Sequence, residues 1–373
     1  MNKYLKKCIA VVLMSLMCFG GVAPLIFENT AYALEAKNST FDTVYKKTTE
    51  YLAKKELKYG SEWYAIALSR AGEKVDNSYY VSLLEAIYNG TPSVANNSKA
   101  IMALTSMGKP VSDELLAPFA SFSAVSNLYI TSIASALLAL DTNGYEIPIS
   151  ENADDQNTRE KMVDFLLSSL KDNSIYDYGI DSAAMIVQAL APYCDDDRIK
   201  AVTDEAIEKM KVIVETNVSQ GSDLCSSYAQ LIIALSEHSL DSSQWVGKML
   251  TYYCEEDGAF LYNGKVNDFS TYQAHMALTA YKRYIENRNS LYNMNDGYFK
   301  ITDKGNNGYS IYSPIRTEIT VFMVNYNEDL TIKNIVSENI NVLANSENPI
   351  NTDCDKIIVW DSTENMIPLC EVK

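Results

Sequence analysis

The sequence predicts a mainly α-helical protein: an α6–α6 toroid, which is a closed ring of six helical hairpins, followed by a small antiparallel β-sandwich domain. Two observations predict this fold. A short run rich in alanine and serine, ending in an Ala-Leu pair, recurs six times before residue 290, and strand-like alternation follows from about residue 296. A repeat every ~20–50 residues is typical of architectures that stack one supersecondary unit many times.

The first 33 residues have the pattern of a signal peptide. Three lysines precede an apolar run from Cys8 to Phe27, and Ala31-Tyr32-Ala33 supplies the small residues of a cleavage site. The run is close to the ~20 residues that a membrane span requires, so an uncleaved anchor is an alternative to cleavage after Ala33. Both alternatives predict a protein that is secreted or held at the cell surface.

The recurring run marks one helix of each hairpin. The leucines that end the Ala-Leu pairs follow one another at steps of 36, 36, 50, 45 and 43 residues. They are Leu68, Leu104, Leu140, Leu190, Leu235 and Leu278. Because alanine and serine let neighbouring helices come close, we expect these six helices on the inside of the ring.

A second helix candidate precedes each run. The six candidates cover 41–56, 77–88, 112–122, 158–171, 197–216 and 243–254. A single hairpin cannot bury both faces of its apolar helix, so the hairpins must stack on one another. The stack can close into a ring or continue as an open solenoid. We favour a closed toroid over residues 40–290, because neither end shows an obvious polar capping repeat.

The most complete copy of the repeat runs from Gln244 to Arg283. Its first helix has Trp245, Met249 and Tyr252 on one stripe, which is a helical spacing. Asp257-Gly258 should end that helix, since glycine tolerates a positive φ at low cost.

The composition changes near residue 291. Residues 291–316 are interpreted as a linker with the first strands, and 317–373 as a β-sandwich module. The strand signals are period-two alternation, β-branched residues and turn residues between the runs.

Beyond the signal segment there are five cysteines and no Cys-x-x-Cys pattern, so neither a disulfide framework nor a structural zinc cluster is indicated. Cys354 and Cys370 flank the last strand, and a disulfide between them stays an open question.

The chain is strongly acidic. Its formal net charge of −17 becomes −19 when three lysines and one glutamate are removed with the signal segment. Such a balance argues against binding to nucleic acid or to an anionic membrane. The simplest interpretation is solubility outside a cell.

The six hairpins resemble the α/α toroid shared by terpene cyclases, the catalytic subunit of protein prenyltransferases, thioester domains of complement-like proteins and cobalamin carriers. Gln244–Phe260 resembles a degenerate Gln-Trp repeat that closes with Asp257-Gly258-Ala259-Phe260, and the helix from Ser270-Thr271 to Ala277-Leu278 follows it. The resemblance implies a fold more than an activity, because this scaffold hosts unrelated functions. The ending IIVWDSTENMIPL is similar to the end of β modules on secreted surface proteins of Gram-positive bacteria.

Acidic and aromatic residues gather where the inner helices begin, and they should meet at one rim of the ring. They are Glu62, Trp63, Tyr176, Tyr178, Asp181, Asp223, Tyr262, Asp268 and Tyr272. Stacking aromatics and carboxylates on a concave rim suit a ligand pocket for a glycan, a peptide or another small molecule. The alternative is that the acids cap helices while the tyrosines fill the ring.

A zinc site is the weaker alternative. Protein prenyltransferases hold zinc with an Asp-x-Cys pair and a distant histidine, and the resemblance implies Asp223, Cys225 and His275 here. His275 lies about one turn beyond the position that a ligand should occupy. The only other histidine, His238, is expected at a solvated helix end.

The sequence therefore predicts an exported, non-catalytic binding or adhesion module with its ligand site at the toroid rim and no cofactor. An enzyme of the terpene cyclase/prenyltransferase superfamily and a cobalamin-type carrier are the alternatives.

Overall fold

The computed structural model describes residues 40–373 apart from 92, 154, 220–223, 306–307, 365, 367, 371 and 373. The segment 1–33 with its expected signal peptide lies outside the described residues. The chain divides into two compact units, Met1–Lys47 and Thr48–Lys373. Everything that follows concerns the second unit.

The protein is mainly helical, with small antiparallel sheets of three strands each. Thirteen α-helices occur among the described residues, and helices make up about half of them. The helices are α1 (40–53), α2 (Glu62–Ala71), α3 (Asn77–Asn89), α4 (Val94–Ser106), α5 (Asp113–Leu116), α6 (Phe122–Ser126), α7 (Ile130–Asp141), α8 (Arg159–Lys171), α9 (Asp181–Leu190), α10 (Asp197–Ser219), α11 (Cys225–Glu237), α12 (Ser243–Met249) and α13 (Asp268–Ile285).

Six of these helices carry the Ala-Leu pairs, and they form the core. They are α2, α4, α7, α9, α11 and α13. No leucine of the six pairs is more than 4% exposed, and no preceding alanine more than 1%. A helix that is buried on most of its circumference must have neighbours on every side. The intervening helices are less covered: α3 buries only Tyr79 and Leu83.

The six core helices contact one another in chain order. Each packs against the next, and α13 at the end of the series packs against α2 at its start. Three of the intervening helices, α8, α10 and α12, each contact the core helix before them and the core helix after them.

The third intervening helix is broken. The sequence predicts one helix over 112–122, but the structure has α5, a 3₁₀ turn over Ala117–Ala120, and then α6. Pro118 is the cause, because a proline lacks the N–H of a helical hydrogen bond and its ring clashes with the preceding turn.

A small three-stranded meander joins α12 to α13. Its strands are β1 (Tyr253–Cys254), β2 (Ala259–Tyr262) and β3 (Lys265–Val266), in the order β1-β2-β3. Asn263 and Gly264 make the β2–β3 turn with φ of 49° and 72°. Positive φ at both central residues is the type I′ hairpin turn that Asn-Gly favours.

The C-terminal strands form two more antiparallel sheets. The strands are β4 (Lys300–Asp303), β5 (Tyr309–Ser313), β6 (Thr317–Tyr326), β7 (Ile332–Val342), β8 (Ser346–Ile350) and β9 (Lys356–Trp360). The sheet orders are β4-β5-β8 and β7-β6-β9. One hydrophobic cluster joins both sheets, with Ile301 and Ile311 from the first and Val321 and Val359 from the second. Cys354 and Cys370 pack against this cluster as thiols.

A segment between the helices and the strands is tied to the helix ends by buried ionic contacts. Nη1 of Arg70 at the end of α2 donates to Asp296 at 2.7 Å, and its other N–H groups donate to the carbonyls of Ser290, Leu291 and Asn293. Arg283 of α13 also donates to Asp296. We call residues 289–296 the strap.

The end of α2 also touches the strand region directly. The Arg316 N–H donates to the Gly72 carbonyl at 2.6 Å, and the Arg316 guanidinium pairs with Glu73 at 2.7 Å. The boundaries between toroid, linker and β module that the sequence suggests stay predictions. Within the described residues, none of the helices has the length and apolar character needed to cross a membrane.

Candidate ligand-binding cavity

All six core helices contribute side chains to one cavity of about 310 Å³. The lining residues are Trp63, Lys99, Thr131, Ser132, Ser135, Asp181, Met185, Gln230, Ile233, Phe269, Tyr272, Gln273, Met276 and Tyr292. Apart from Tyr292, which belongs to the strap, each lies on α2, α4, α7, α9, α11 or α13. We call this space the hub cavity.

The repeat itself explains why these side chains meet. In each copy, the residue five positions before the repeat leucine lines the hub cavity. The six residues are Trp63, Lys99, Ser135, Met185, Gln230 and Gln273. Equivalent positions of six core helices therefore face one space, although their chemistry differs from copy to copy.

Aromatic side chains form one wall of the cavity, where α13 packs on α2. The Tyr272 ring lies 4.9 Å from the ring of Tyr64 and 5.3 Å from that of Phe269, measured between centroids. Trp63 of α2 continues this wall, and Phe269 is 52% exposed. Phe269, Tyr272 and Met276 are spaced by three and four residues, so they share a face of α13. Asn267 fixes the start of that helix by accepting from the Ser270 N–H at 2.9 Å.

On the other walls the two charged groups have few protein partners, whereas Ser135 Oγ donates to the Thr131 carbonyl and Gln230 Oε1 accepts from Gln188. Asp181 accepts a 3.3 Å hydrogen bond from Ser227 Oγ, and Lys99 forms no ion pair or hydrogen bond with a described residue. The buried Oε1 of Gln273 also accepts from no described residue. Asp181 is open to the cavity, yet protein surrounds it closely enough that desolvation raises its pKa. Polar groups of this kind retain hydrogen-bonding capacity for a ligand.

A second cavity, of about 440 Å³, lies at the opposite ends of α7, α9 and α11. Two of its three carboxylates are already engaged. Glu237 accepts from Ser290 Oγ at 2.6 Å and from the Tyr292 N–H at 3.2 Å. Asp141 accepts from Arg159 at 2.7 Å and from Tyr193 at 2.8 Å. These groups hold the strap and the helix ends, so the hub cavity is the better ligand site. Tyr292 lines both cavities and stands between them.

Three of the residues that the sequence suggested for a ligand site line the hub cavity: Trp63, Asp181 and Tyr272. Glu62 lies beside them in sequence but is buried, and its carboxylate accepts from the Gly60 N–H at 2.8 Å. Asp268 accepts from the Tyr51 hydroxyl at 2.6 Å and pairs with Lys55 at 2.8 Å. Desolvation by itself would raise the Asp268 pKa, but the hydrogen bonds from Lys55 and Tyr51 outweigh it and the pKa is lowered.

The other suggested tyrosines lie away from the hub cavity. The Tyr176 ring has Lys209 Nζ of α10 at 4.0 Å from its centroid, and desolvation raises the Tyr176 pKa to about 12. Tyr178 is fully exposed, and Tyr262 is 50% exposed at the end of β2. Tyr176 and Tyr178 lie in the 3₁₀ helix and turn before α9, and Tyr262 lies in the meander before α13, so all three precede the core helices whose side chains line the cavity. Asp223 lies outside the described residues.

The residues considered for zinc are buried in helix packing. Cys225 and His275 are fully buried on the neighbouring helices α11 and α13. His275 Nε2 lies 2.9 Å from Thr49 Oγ1, and desolvation lowers the His275 pKa to about 3. No group of three or more His, Cys, Asp or Glu side chains that could hold a metal occurs among the residues the structure describes.

The other histidine contacts a cysteine. His238 Nε2 lies 2.9 Å from the Val187 carbonyl, so it carries the proton, and Nδ1 faces Cys194 Sγ at 3.8 Å. The expectation of a solvated His238 is therefore wrong, because the end of α11 packs on α9. Desolvation raises the Cys194 pKa and lowers the His238 pKa, which keeps both groups neutral. A neutral pair is a packing contact and not an activated nucleophile.

Reasoning from the sequence missed Lys99, Gln273, Phe269 and Tyr292. Lys99 and Gln273 share the repeat position of Trp63, so aligning the copies on their leucines would have found both. Tyr292 belongs to no repeat, and no pattern in the sequence marks it.

No protein-family model matches this sequence, and neither does any curated protein.

Proposed function

We propose that the six hairpins form an α6–α6 toroid and the last six strands a β-sandwich. The cyclic order of contacts from α2 through α13 back to α2 supports the toroid. The hydrophobic cluster shared by the sheets β4-β5-β8 and β7-β6-β9 supports the sandwich. Membership of the terpenoid cyclase/prenyltransferase-type superfamily is part of the same proposal.

We propose further that the protein is an exported binding module, secreted or held at the cell surface, whose ligand occupies the hub cavity. One observation carries this proposal: six equivalent repeat positions meet at a space where Lys99 has no partner among the described residues and Asp181 has only the 3.3 Å bond from Ser227. The signal-peptide pattern and the acidic net charge of −17 support the location.

The binding role is favoured over the enzyme alternative by where the candidate residues lie. Cys225 and His275 line neither the hub cavity nor the second cavity. Their side chains are fully buried, and that of His275 is engaged with Thr49.

The experiment is a ligand screen with three matched variants. Ligand-observed NMR would scan a mixed library of cell-wall glycan fragments, monosaccharides, amino acids and short peptides against the wild-type protein. Each hit would then be measured against Trp63→Ala, Tyr272→Ala and Tyr178→Ala. The first two remove hub-cavity aromatics, whereas the third removes an equally aromatic side chain that is fully exposed.

We expect at least one hit whose affinity falls tenfold or more in Trp63→Ala and Tyr272→Ala but stays within about twofold in Tyr178→Ala, since aromatic contacts contribute about 1–3 kcal/mol. If folded protein bound no library member, or if every hit bound the three variants equally, the proposal would be wrong.

A further inference from the structure

Two opposite charges face the hub cavity without neutralising each other. Lys99 belongs to α4 and Asp181 to α9, and the core helix between them in the cycle of contacts is α7. Lys99 forms no ion pair with a described residue, and Asp181 has only the 3.3 Å bond from Ser227. Both residues are exposed, so each charge keeps the capacity to pair with an opposite charge on a ligand.

The walls between and opposite these charges differ in chemistry. Between them α7 presents the hydroxyls of Thr131, Ser132 and Ser135. Across the cavity lies the aromatic wall of α13 and α2, which the cycle of contacts puts on the other side from α7 and α9. The cavity therefore carries its two charges and three hydroxyls on the successive helices α4, α7 and α9, and its aromatic side chains on α13 and α2.

We infer that the ligand of the hub cavity is an amino-acid zwitterion with an aromatic or large aliphatic side chain. Its ammonium group pairs with Asp181, its carboxylate pairs with Lys99, and its side chain packs on Trp63 and Tyr272. This inference rests on the proposed function, because it names the ligand of the same cavity.

The size and charge of the site favour this ligand over the other classes. A volume of about 310 Å³ is at the low end of the ~300–1,000 Å³ range of ligand pockets, which suits a molecule of amino-acid size. A neutral sugar would cover Lys99 and Asp181 without supplying either counter-charge. A peptide carries its ammonium and carboxylate at opposite ends, whereas an amino acid presents both from one carbon.

The test is isothermal titration of the full chain with three probes. L-Phenylalanine carries both charges, N-acetyl-L-phenylalanine lacks the ammonium, and L-phenylalaninamide lacks the carboxylate. Each is titrated into wild-type protein, Asp181→Asn and Lys99→Met. Asp113→Asn and Lys171→Met make the same charge changes at exposed positions outside the cavity.

We expect L-phenylalanine to bind, and each capped probe to bind roughly tenfold or more weakly, because a hydrogen bond between charged partners is lost. Asp181→Asn should no longer distinguish L-phenylalanine from the N-acetyl probe, but should still bind the amide more weakly. Lys99→Met should no longer distinguish L-phenylalanine from the amide, but should still bind the N-acetyl probe more weakly. The two control variants should match the wild type.

Equal binding of all three probes, or unchanged discrimination in both cavity variants, would overturn the inference of a zwitterion and leave the proposed function standing. The inference of a zwitterion would also be overturned if neutral sugars were the only library members whose binding is weakened by Trp63→Ala. A library without any such hit would overturn the proposed function itself.

Discussion

His275 shows how one buried side chain can couple the stability of the helical core to pH. It is fully buried on α13, and desolvation lowers its pKa from 6.5 to about 3. Between those two values the unfolded chain binds a proton that the folded protein excludes. Stability therefore falls as pH decreases from about 6.5 towards 3, by roughly 1.4 kcal/mol per pH unit from this group.

The variant His275→Gln keeps a side chain that can bond Thr49 but does not titrate. We expect the free energy of unfolding, measured by urea denaturation at pH 7, 6, 5 and 4, to fall more steeply in the wild type than in the variant. Parallel curves would show that His275 does not have the depressed pKa. The carboxylates titrate in both proteins, so their contribution cancels when the free energies of unfolding of the two proteins are subtracted at each pH.

Gly72 is where the end of α2 approaches the strand region most closely. Its φ is +89°, and a Cβ built there would lie 2.5 Å from Ala344 Cβ. Gly144 also has a positive φ, of +66°, but a Cβ there would meet nothing within 4 Å. An alanine at Gly144 therefore tests backbone strain alone, whereas an alanine at Gly72 adds a steric conflict.

We expect Gly144→Ala to lower the free energy of unfolding by about 1 kcal/mol, the cost of a left-handed conformation for an alanine. Gly72→Ala should lose a further ~1–3 kcal/mol, because Ala344 or its backbone must move. The measurement is chemical denaturation of both variants, and equal losses would show that the approach of α2 to Ala344 is looser than described.

At the scale of elements, the strap is held by charges buried between helix ends. Asp296 bonds both Arg70 and Arg283, whose side chains are 3% and 1% exposed. Desolvation acts to raise the Asp296 pKa, but the two arginines outweigh it and lower the pKa. For Arg283 the desolvation dominates, helped by the nearby charge of Arg70, and lowers the pKa to about 9.

Asp296→Asn would leave two buried guanidinium groups facing each other without a counter-charge. We expect a loss of about 3–5 kcal/mol in the free energy of unfolding, the usual result of removing one partner of a buried pair. The matched control is Asp204→Asn, which breaks the exposed 2.7 Å pair with Lys200 and should cost less than ~1 kcal/mol. Similar losses in the two variants would contradict the structural role given to the strap.

The depressed pKa of Asp296 also sets the sign of an acid effect. Its contribution to stability is present above the unfolded-state value of 3.8 and is lost as pH falls through the lower folded-state value. The strap should therefore loosen only in acid below about pH 3.8, which starts at the low end of the range in which His275 acts.

The helices were more predictable than the cavity they enclose. The Ala-Leu runs gave all six core helices and their buried faces, because burial of small and apolar residues at helical spacing is a local signal. Pro118 divides one intervening helix. The helical pattern on both sides of it led to the prediction of a single continuous helix. Alternation and turn residues also indicated strands after residue 296, but not the bounds of β7 and β8.

The ligand site was only partly predictable for a physical reason. Residues at the starts of the core helices were expected to converge, which holds for Asp181 but not for Tyr178 or Tyr262. Convergence depends on the direction in which a side chain leaves its helix, so Lys99 and Gln273, deeper in their helices, reach the cavity instead. Tyr292 is placed by Arg70 and Glu237, partners far away in sequence, and such placement leaves no local pattern.

At the scale of the molecule, the six core helices contact one another in a cycle. Tyr292 lines both the hub cavity and the second cavity, in which Asp141 and Glu237 are bonded within the protein. The strap supplies Tyr292 and also bonds the ends of α2 and α13, the first and last core helices. The ends of α2 and α13 and the position of Tyr292 in both cavities therefore depend on the same segment.

The most direct test of the account is a crystal structure of the protein with the tightest-binding member of the ligand library. The account predicts ligand density between the aromatic wall of Trp63 and Tyr272 and the polar wall that carries Asp181, with Tyr292 beneath it. Ligand bound instead in the second cavity beside Glu237, or outside the ring of core helices, would contradict it.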